Sequence, residues 1–222
     1  SLRWSFVIAM GEADIGEVVL TSGCHGFFSV GLDLKEIEGY DRETMRAFWL
    51  DFNALYRETH ELPKPVIAAL PGHTVAGGII LALACDMRFM APGEYKLAVS
   101  GINTGLSLGE HVYAMAVQAM GHGHSRELFL TGESIDPDRA LEIGLVRELV
   151  AEERLLETAK DFARELAGKS ARAYGEIKAM AREAAGYTRA AAADANAFLD
   201  RWYSDEAKAI RAAALDSLTA AR

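Results

Sequence analysis

The stretch KPVIAALPGHTVAGGIILALACDMRFMAP, Lys64 to Pro92, decides the fold. Its first part, Lys64 to Gly72, is an apolar run between Pro63 and Pro71, as expected of a strand buried on both faces. An apolar helix starting near Ala76 follows, uncharged until Asp86, and MRFMAP reads as the next strand. Gly77 and Gly78 open that helix, although a glycine inside a helix costs roughly 0.5–1 kcal/mol relative to alanine. A helix N-terminus presents unpaired N–H groups and the positive end of the helix dipole. Left without Cβ atoms, it can receive an oxygen at close range, which is how an oxyanion hole is built. Glycines also let a helix approach a strand closely, and spacing alone leaves both uses open.

Outward from this stretch, EVVLTSG (Glu17 to Gly23) is a short β-rich run ended by glycine. HGFFSVGLDLKEI (His25 to Ile37) reads as a glycine-punctuated loop, and Asp41 to Glu61 as a helix. Further strands are expected at YKLAV (Tyr95 to Val99) and GLVREL (Gly144 to Leu149). Helices are expected at Glu110–Met120, Ser125–Leu130 and Pro137–Glu142. Strands alternating with helices imply an α/β core with a largely parallel sheet, over residues 1–150. From Glu152 onward the chain is alanine-rich and charged without proline, so 151–222 is expected to form three or four amphipathic helices.

The 222 residues are half apolar, ample for a closed core. A net charge of −9 argues against a nucleic-acid or membrane-surface role. Cys24 and Cys85 are the only cysteines and read as reduced thiols of a cytoplasmic protein. The longest apolar run, Gly77 to Cys85, is too short to span a bilayer, and no signal peptide is recognisable.

FFSVGLDL (Phe27 to Leu34) is a second glycine-bearing loop after a strand, with Leu32 following Gly31. Two such loops at strand carboxyl ends can supply two N–H donors to one carbonyl oxygen. The pairing of FFSVGLDLKEI with the Lys64–Pro92 stretch resembles the crotonase, or enoyl-CoA hydratase/isomerase, superfamily. LFLTGESIDPDRALEIGLVRELV is similar to that family's next segment, and the wording is most similar to mitochondrial-type Δ3,Δ2-enoyl-CoA isomerases. The likeness covers roughly residues 16 to 170.

The resemblance implies a spiral of ββα turns and a coenzyme A thioester ligand, with no separate cofactor. It also implies a homotrimer or dimer of trimers whose contacts involve the C-terminal helices. The two oxyanion donors match Leu32 and Gly77. Val30, Gly31, Asp33, Lys35, Gly78 and Gly101 are the accompanying substrate-binding candidates, Lys35 toward a CoA phosphate. Family members carry strands before the helix leading into EVVLTSG. SLRWSFVIAMGEADIG looks like the end of that helix, so the N-terminal turn is expected to be incomplete.

Two glutamates of related hydratases would fall at Ile80 and Gly101, neither of which can accept a proton. Hydration needs a positioned acid and base, so isomerisation, which needs one base, is favoured. Glu110, in the first turn of the next helix, is the replacement candidate, although an acidic residue there also complements the helix dipole. An oxyanion hole without those glutamates also suits decarboxylation or thioester hydrolysis, or a relative that binds acyl-CoA without turning it over.

GLSLG (Gly105 to Gly109) matches the G-x-S-x-G nucleophile elbow, but the histidines after Ser107, His111, His122 and His124, lie too near for a hydrolase triad. His122 and His124 lack a third metal ligand at suitable spacing, so no metal is expected. His73 is read as a packing or capping residue, and Cys24 and His25 as neighbours of the first loop. No dinucleotide fingerprint or P-loop is present.

Overall fold

The computed structural model describes residues 14–187 and 195–220. The expected incomplete N-terminal turn falls on residues 1–13 and lies outside them. The chain runs β1 (Val18–Leu20), β2 (Gly26–Ser29), α1 (Leu34–Ile37), α2 (Arg42–Glu61), β3 (Val66–Leu70), β4 (Gly72–Val75) and α3 (Gly77–Ala84). Then come β5 (Met87–Met90), β6 (Leu97–Ala98), a 3-10 turn (Ile102–Thr104), α4 (Glu110–Thr131), β7 (Ser134–Ile135), α5 (Pro137–Glu142) and β8 (Glu148–Leu149). The remainder is helical: α6 (Glu152–Ala167), α7 (Ala171–Ala184), α8 (Asn196–Trp202) and α9 (Asp205–Ala220).

The strands sort into two sheets, β1-β3-β5-β8 and β2-β4-β6-β7. Each ββα turn contributes one strand to each sheet, which generates the expected spiral. All pairings are parallel except β6 with β7, where Leu97 faces Ile135 and Ala98 faces Ser134.

β3 shows why the sequence around it is uniformly apolar. Its five residues are all buried, and successive side chains serve opposite faces. Val66, Ala68 and Leu70 join a cluster with Ile79, Leu83 and Met115. Ile67 and Ala69 join Phe89, Leu155, Ala159 and Ala163, so α6 closes the other face of the first sheet. A third cluster joins Trp49 of α2 to Phe198 and Trp202 of α8.

Three sequence expectations change. The His25–Ile37 loop contains a strand and a one-turn helix. Gly26 and Phe27 pair with Gly72 and His73, and Asp33 caps α1 by accepting from the Lys35 and Glu36 amides. The run Lys64–Gly72 is divided between strands of different sheets at Pro71, and Gly72–Val75 forms a further strand, β4, before the helix, which starts at Gly77 with Ala76 as its N-cap, as expected. A two-residue strand at Ser134–Ile135 has no periodicity long enough to show in the sequence. As expected, α4 consists of two helical segments, parted at Gly121, whose φ of 75° and ψ of 169° are not helical.

Candidate active site

β2 and β4 carry the two glycine loops side by side, and backbone bareness is what lets them meet. A Cβ on Gly31 would lie 2.7 Å from the Gly77 nitrogen and 2.8 Å from the Ala76 Cβ. One on Gly77 would stand 3.3 Å from the Gly31 Cα and 3.1 Å from Cζ of Phe52. Gly78 has a different neighbour: it is buried, and a Cβ there would sit 2.3 Å from the Ser29 carbonyl oxygen. Close packing, one of the two uses of glycine left open by the spacing, therefore occurs at both residues of the pair.

The turn into α3 is strained. Ala76, its N-cap, has φ 50° and ψ −121°, the only positive φ of a non-glycine among the described residues. Such conformations cost about 1–3 kcal/mol and persist where the surroundings impose them. The Ala76 amide donates to the Ala98 carbonyl at 3.1 Å, which ties the turn to β6. No side chain caps α3, and the amides of Gly77 and Leu32 have no hydrogen-bond acceptor among the described residues. Leu32 is anchored by its side chain, which packs on the Trp49–Phe198 cluster beside Leu34 and Leu106. Val30 is exposed, Lys35 is exposed, and Asp33 is engaged in its cap.

Gly101 and Glu110 line a second feature, a cleft of about 910 Å³ walled by Val99, Leu106, Leu108, Val117 and Phe129. Leu32 and Gly77 do not line it, but Leu106 belongs both to this cleft and to the cluster that anchors Leu32. A Cβ on Gly101 would meet Leu108 Cγ at 2.8 Å and the Leu106 carbonyl at 3.1 Å, so leucine fills the space a carboxylate there would need. Ile80, at the other expected acid position, is 3% exposed in the apolar core. Of the carboxylates lining the cleft, Glu206 is held by Arg201 at 2.8 Å, whereas exposed Glu110 has no partner among the described residues.

Sequence reasoning missed the residue beside Glu110. His111 is buried, and its Nε2 lies 2.9 Å from the Tyr56 hydroxyl. Asn53 donates from Nδ2 to the Trp49 carbonyl at 2.6 Å, so its Oδ1 accepts from Tyr56. Tyr56 must then accept from His111, which makes Nε2 the protonated nitrogen and leaves Nδ1 a buried acceptor without a partner. Burial pushes the imidazole down to about 4 and the Tyr56 phenol up, so both stay neutral. The chain bolts the first turn of α4 to α2. Its only sequence signal is a histidine on an apolar helix.

The remaining candidates have structural roles or none. His73 accepts from the Lys96 amide at 3.0 Å and packs against Phe27 and Tyr95. His25 lies 2.7 Å from Glu152, and Cys24 is exposed. Ser107 is exposed, and His111, the histidine nearest it in sequence, is committed to Tyr56. Among the described residues no group of three His, Cys, Asp or Glu could hold a metal, and no helix is long and apolar enough to cross a membrane.

The enoyl-CoA hydratase/isomerase family matches residues 4–213. The chain belongs to that family. It is 30% identical over 155 residues to the short-chain-enoyl-CoA hydratase of Clostridium acetobutylicum, covering 70% of this chain and 59% of that protein. It is 31% identical over 145 residues to the mitochondrial enoyl-CoA delta isomerase 1 of Mus musculus, covering 65% of this chain and 50% of that one. The alignments thus span about half to three-fifths of these curated relatives' lengths. The crystal structure of human mitochondrial delta3-delta2-enoyl-CoA isomerase superposes with a TM-score of 0.92 at 24% identity, over 100% of this chain and 88% of that one, and so fixes the fold.

Proposed function

We propose that the protein isomerises enoyl-CoA thioesters, using the amides of Leu32 and Gly77 as the oxyanion hole and Glu110 as the base. The observation that carries this reading is the meeting of Gly31 with Gly77, where side chains are excluded and the Gly77 and Leu32 donors lack acceptors. In this reading the strained turn at Ala76 holds the Gly77 donor in place, so that little reorganisation is needed as charge develops on the thioester oxygen. Family membership supports the class of substrate, an acyl-CoA, with coenzyme A entering as part of the substrate and exposed Lys35 as the candidate partner of one of its phosphates.

The Glu110 carboxylate takes a proton from C2 of a 3-enoyl thioester. The C2–H electron pair moves into a dienolate whose oxygen is held by the two amides, and the same proton returns at C4 to give the 2-enoyl product. One carboxylate suffices, consistent with Ile80 in the core and Leu108 over Gly101. Hydration would need a second acid–base group to activate water. The reading extends to a homotrimer or dimer of trimers in the cytoplasm.

The test follows 3-hexenoyl-CoA in deuterated buffer, reading double-bond migration and deuterium uptake by mass spectrometry. Glu110→Gln should lower turnover by about 10²–10⁴-fold, the usual worth of a positioned base, with thioester binding retained. Undiminished turnover in that variant removes Glu110 from the mechanism. Binding without any exchange in the unmodified protein replaces the isomerase with a non-catalytic acyl-CoA binder.

A further inference from the structure

One face of α2 touches both halves of the candidate site. Phe52 and Tyr56 stand four residues apart on that helix, about 6 Å along its axis, and their rings meet edge to face with centroids 5.2 Å apart. Cζ of Phe52 borders Gly77, 3.1 Å from where a Cβ would stand. The same ring packs in the cluster that anchors Leu32. Tyr56 is 1% exposed, and its ring stacks on that of His111 with centroids 5.5 Å apart. Three rings in series therefore run from the turn that carries the Gly77 amide to the residue beside Glu110.

The first turn of α4 has no cap of its own. Its N-cap, Gly109, has φ 77° and brings no side-chain hydrogen bond. What fixes the turn is the His111 imidazole, which lies against Gly109, where a Cβ would meet its Cε1 at 3.0 Å. Its Nε2 donates to the Tyr56 hydroxyl at 2.9 Å, and that hydroxyl donates onward to Asn53. The phenol oxygen is thus held from both sides, and a His111 that swung away would leave a buried donor unpaired, which costs more than the bond itself contributes.

Removal of a C2 proton while the thioester oxygen rests on the Gly77 amide needs a constant spacing between base and donor. α2, a single helix of 20 residues, is the element that both sides share. We propose that Tyr56 is a positioning residue of the isomerisation, holding Glu110 in register with the Gly77 amide through His111, while Phe52 sets the same helix against the oxyanion turn. The inference rests on Glu110 acting as the base. A merely structural bond would lower stability and leave the rate per folded molecule intact.

The test measures 3-hexenoyl-CoA turnover per folded molecule, with the folded fraction taken from circular dichroism. Tyr56→Phe deletes only the hydroxyl, and kcat should fall by at least about tenfold with KM within about twofold, since misplacement of a catalytic group acts on the chemical step. His111→Leu should reproduce that loss. His111→Gln, whose side-chain amide offers Tyr56 a donor in place of Nε2, should keep kcat within about threefold of the parent. In a Glu110→Gln background Tyr56→Phe should cost less than about twofold more, because no base is left to position. A Tyr56→Phe variant with kcat within twofold of the parent, losses that multiply with Glu110→Gln, or a His111→Gln variant as slow as His111→Leu each overturns the proposal. A slow Glu110→Gln beside a fully active Tyr56→Phe overturns the positioning alone, whereas undiminished turnover in Glu110→Gln removes the base and this inference with it.

Discussion

Substituting Gly31 by alanine probes the contact on which the candidate site depends. The added methyl would lie 2.7 Å from the Gly77 nitrogen and 2.8 Å from the Ala76 Cβ, against carbon contacts that are ordinarily about 3.5 Å or more. The loops must separate by about 0.7 Å to admit it. The position also has φ 91°, which an alanine adopts at a cost of about 1–3 kcal/mol. Crowding in a packed site adds about 1–3 kcal/mol. Together these remove a large part of a stability that for domains of this kind is about 5–15 kcal/mol.

With urea slopes of about 1–3 kcal/mol per molar, the unfolding midpoint should fall by about 1 M or more. Turnover of 3-hexenoyl-CoA should drop more than stability explains, since a misplacement approaching 1 Å can cost on the order of 10²-fold. Gly123→Ala is the matched control. It lies in α4 with open space around the new methyl, so it should leave turnover alone and leave stability unchanged or raise it by up to about 1 kcal/mol. The reasoning is refuted if Gly31→Ala keeps both its midpoint and its turnover within twofold of the parent.

Two further outcomes follow from the same geometry. Gly77→Pro removes the N–H at the first helical position, where the ring must also displace Phe52, 3.1 Å from a Cβ there, and should cost at least about 2.7–4 kcal/mol of transition-state stabilisation, read as a loss in kcat for the fraction that circular dichroism shows folded; full activity contradicts the oxyanion assignment. Stability should also fall with acid. His111 and His60 are depressed to about 4 and about 3 in the folded chain, so below pH 6.5 the unfolded chain takes up protons that the folded one refuses. Stability is complete above pH 6.5 and declines toward pH 4, by about 3 kcal/mol for His111 alone at pH 4. Urea midpoints measured between pH 7 and pH 4 check this, and a flat profile excludes neutral buried imidazoles.

Local pattern made an α/β core with a largely parallel sheet legible, because burial on both faces of β3 writes an unbroken apolar run with an apolar helix after it; the ββα spiral was legible only through the family resemblance. The helix of Asp41–Glu61 and the exact span of α5 follow from local signals, apolar spacing in one and an Asp cap with proline in the first turn in the other. Local pattern singled out the bare start of α3 at Gly77 and Gly78, while the choice of Leu32 and Gly77 as the paired donors came from the family resemblance. It could not divide labour between Gly77 and Gly78, because that depends on which one faces Gly31 and which one faces Ser29.

The buried polar groups were beyond the sequence for the same reason. His111 finds Tyr56, Asp86 finds Lys178, and Arg211 reaches back to Glu38 at 2.9 Å, across separations of 55, 92 and 173 residues. Whether each of those side chains is a solvated charge or an interior one is set by partners that only folding supplies. The strain at Ala76 is likewise imposed from outside its own turn, by β6 on one side and the Gly31 loop on the other. Periodicity and composition report what a segment can bury; which polar atoms end up paired, and which are left waiting for a ligand, is decided by distant segments brought into contact.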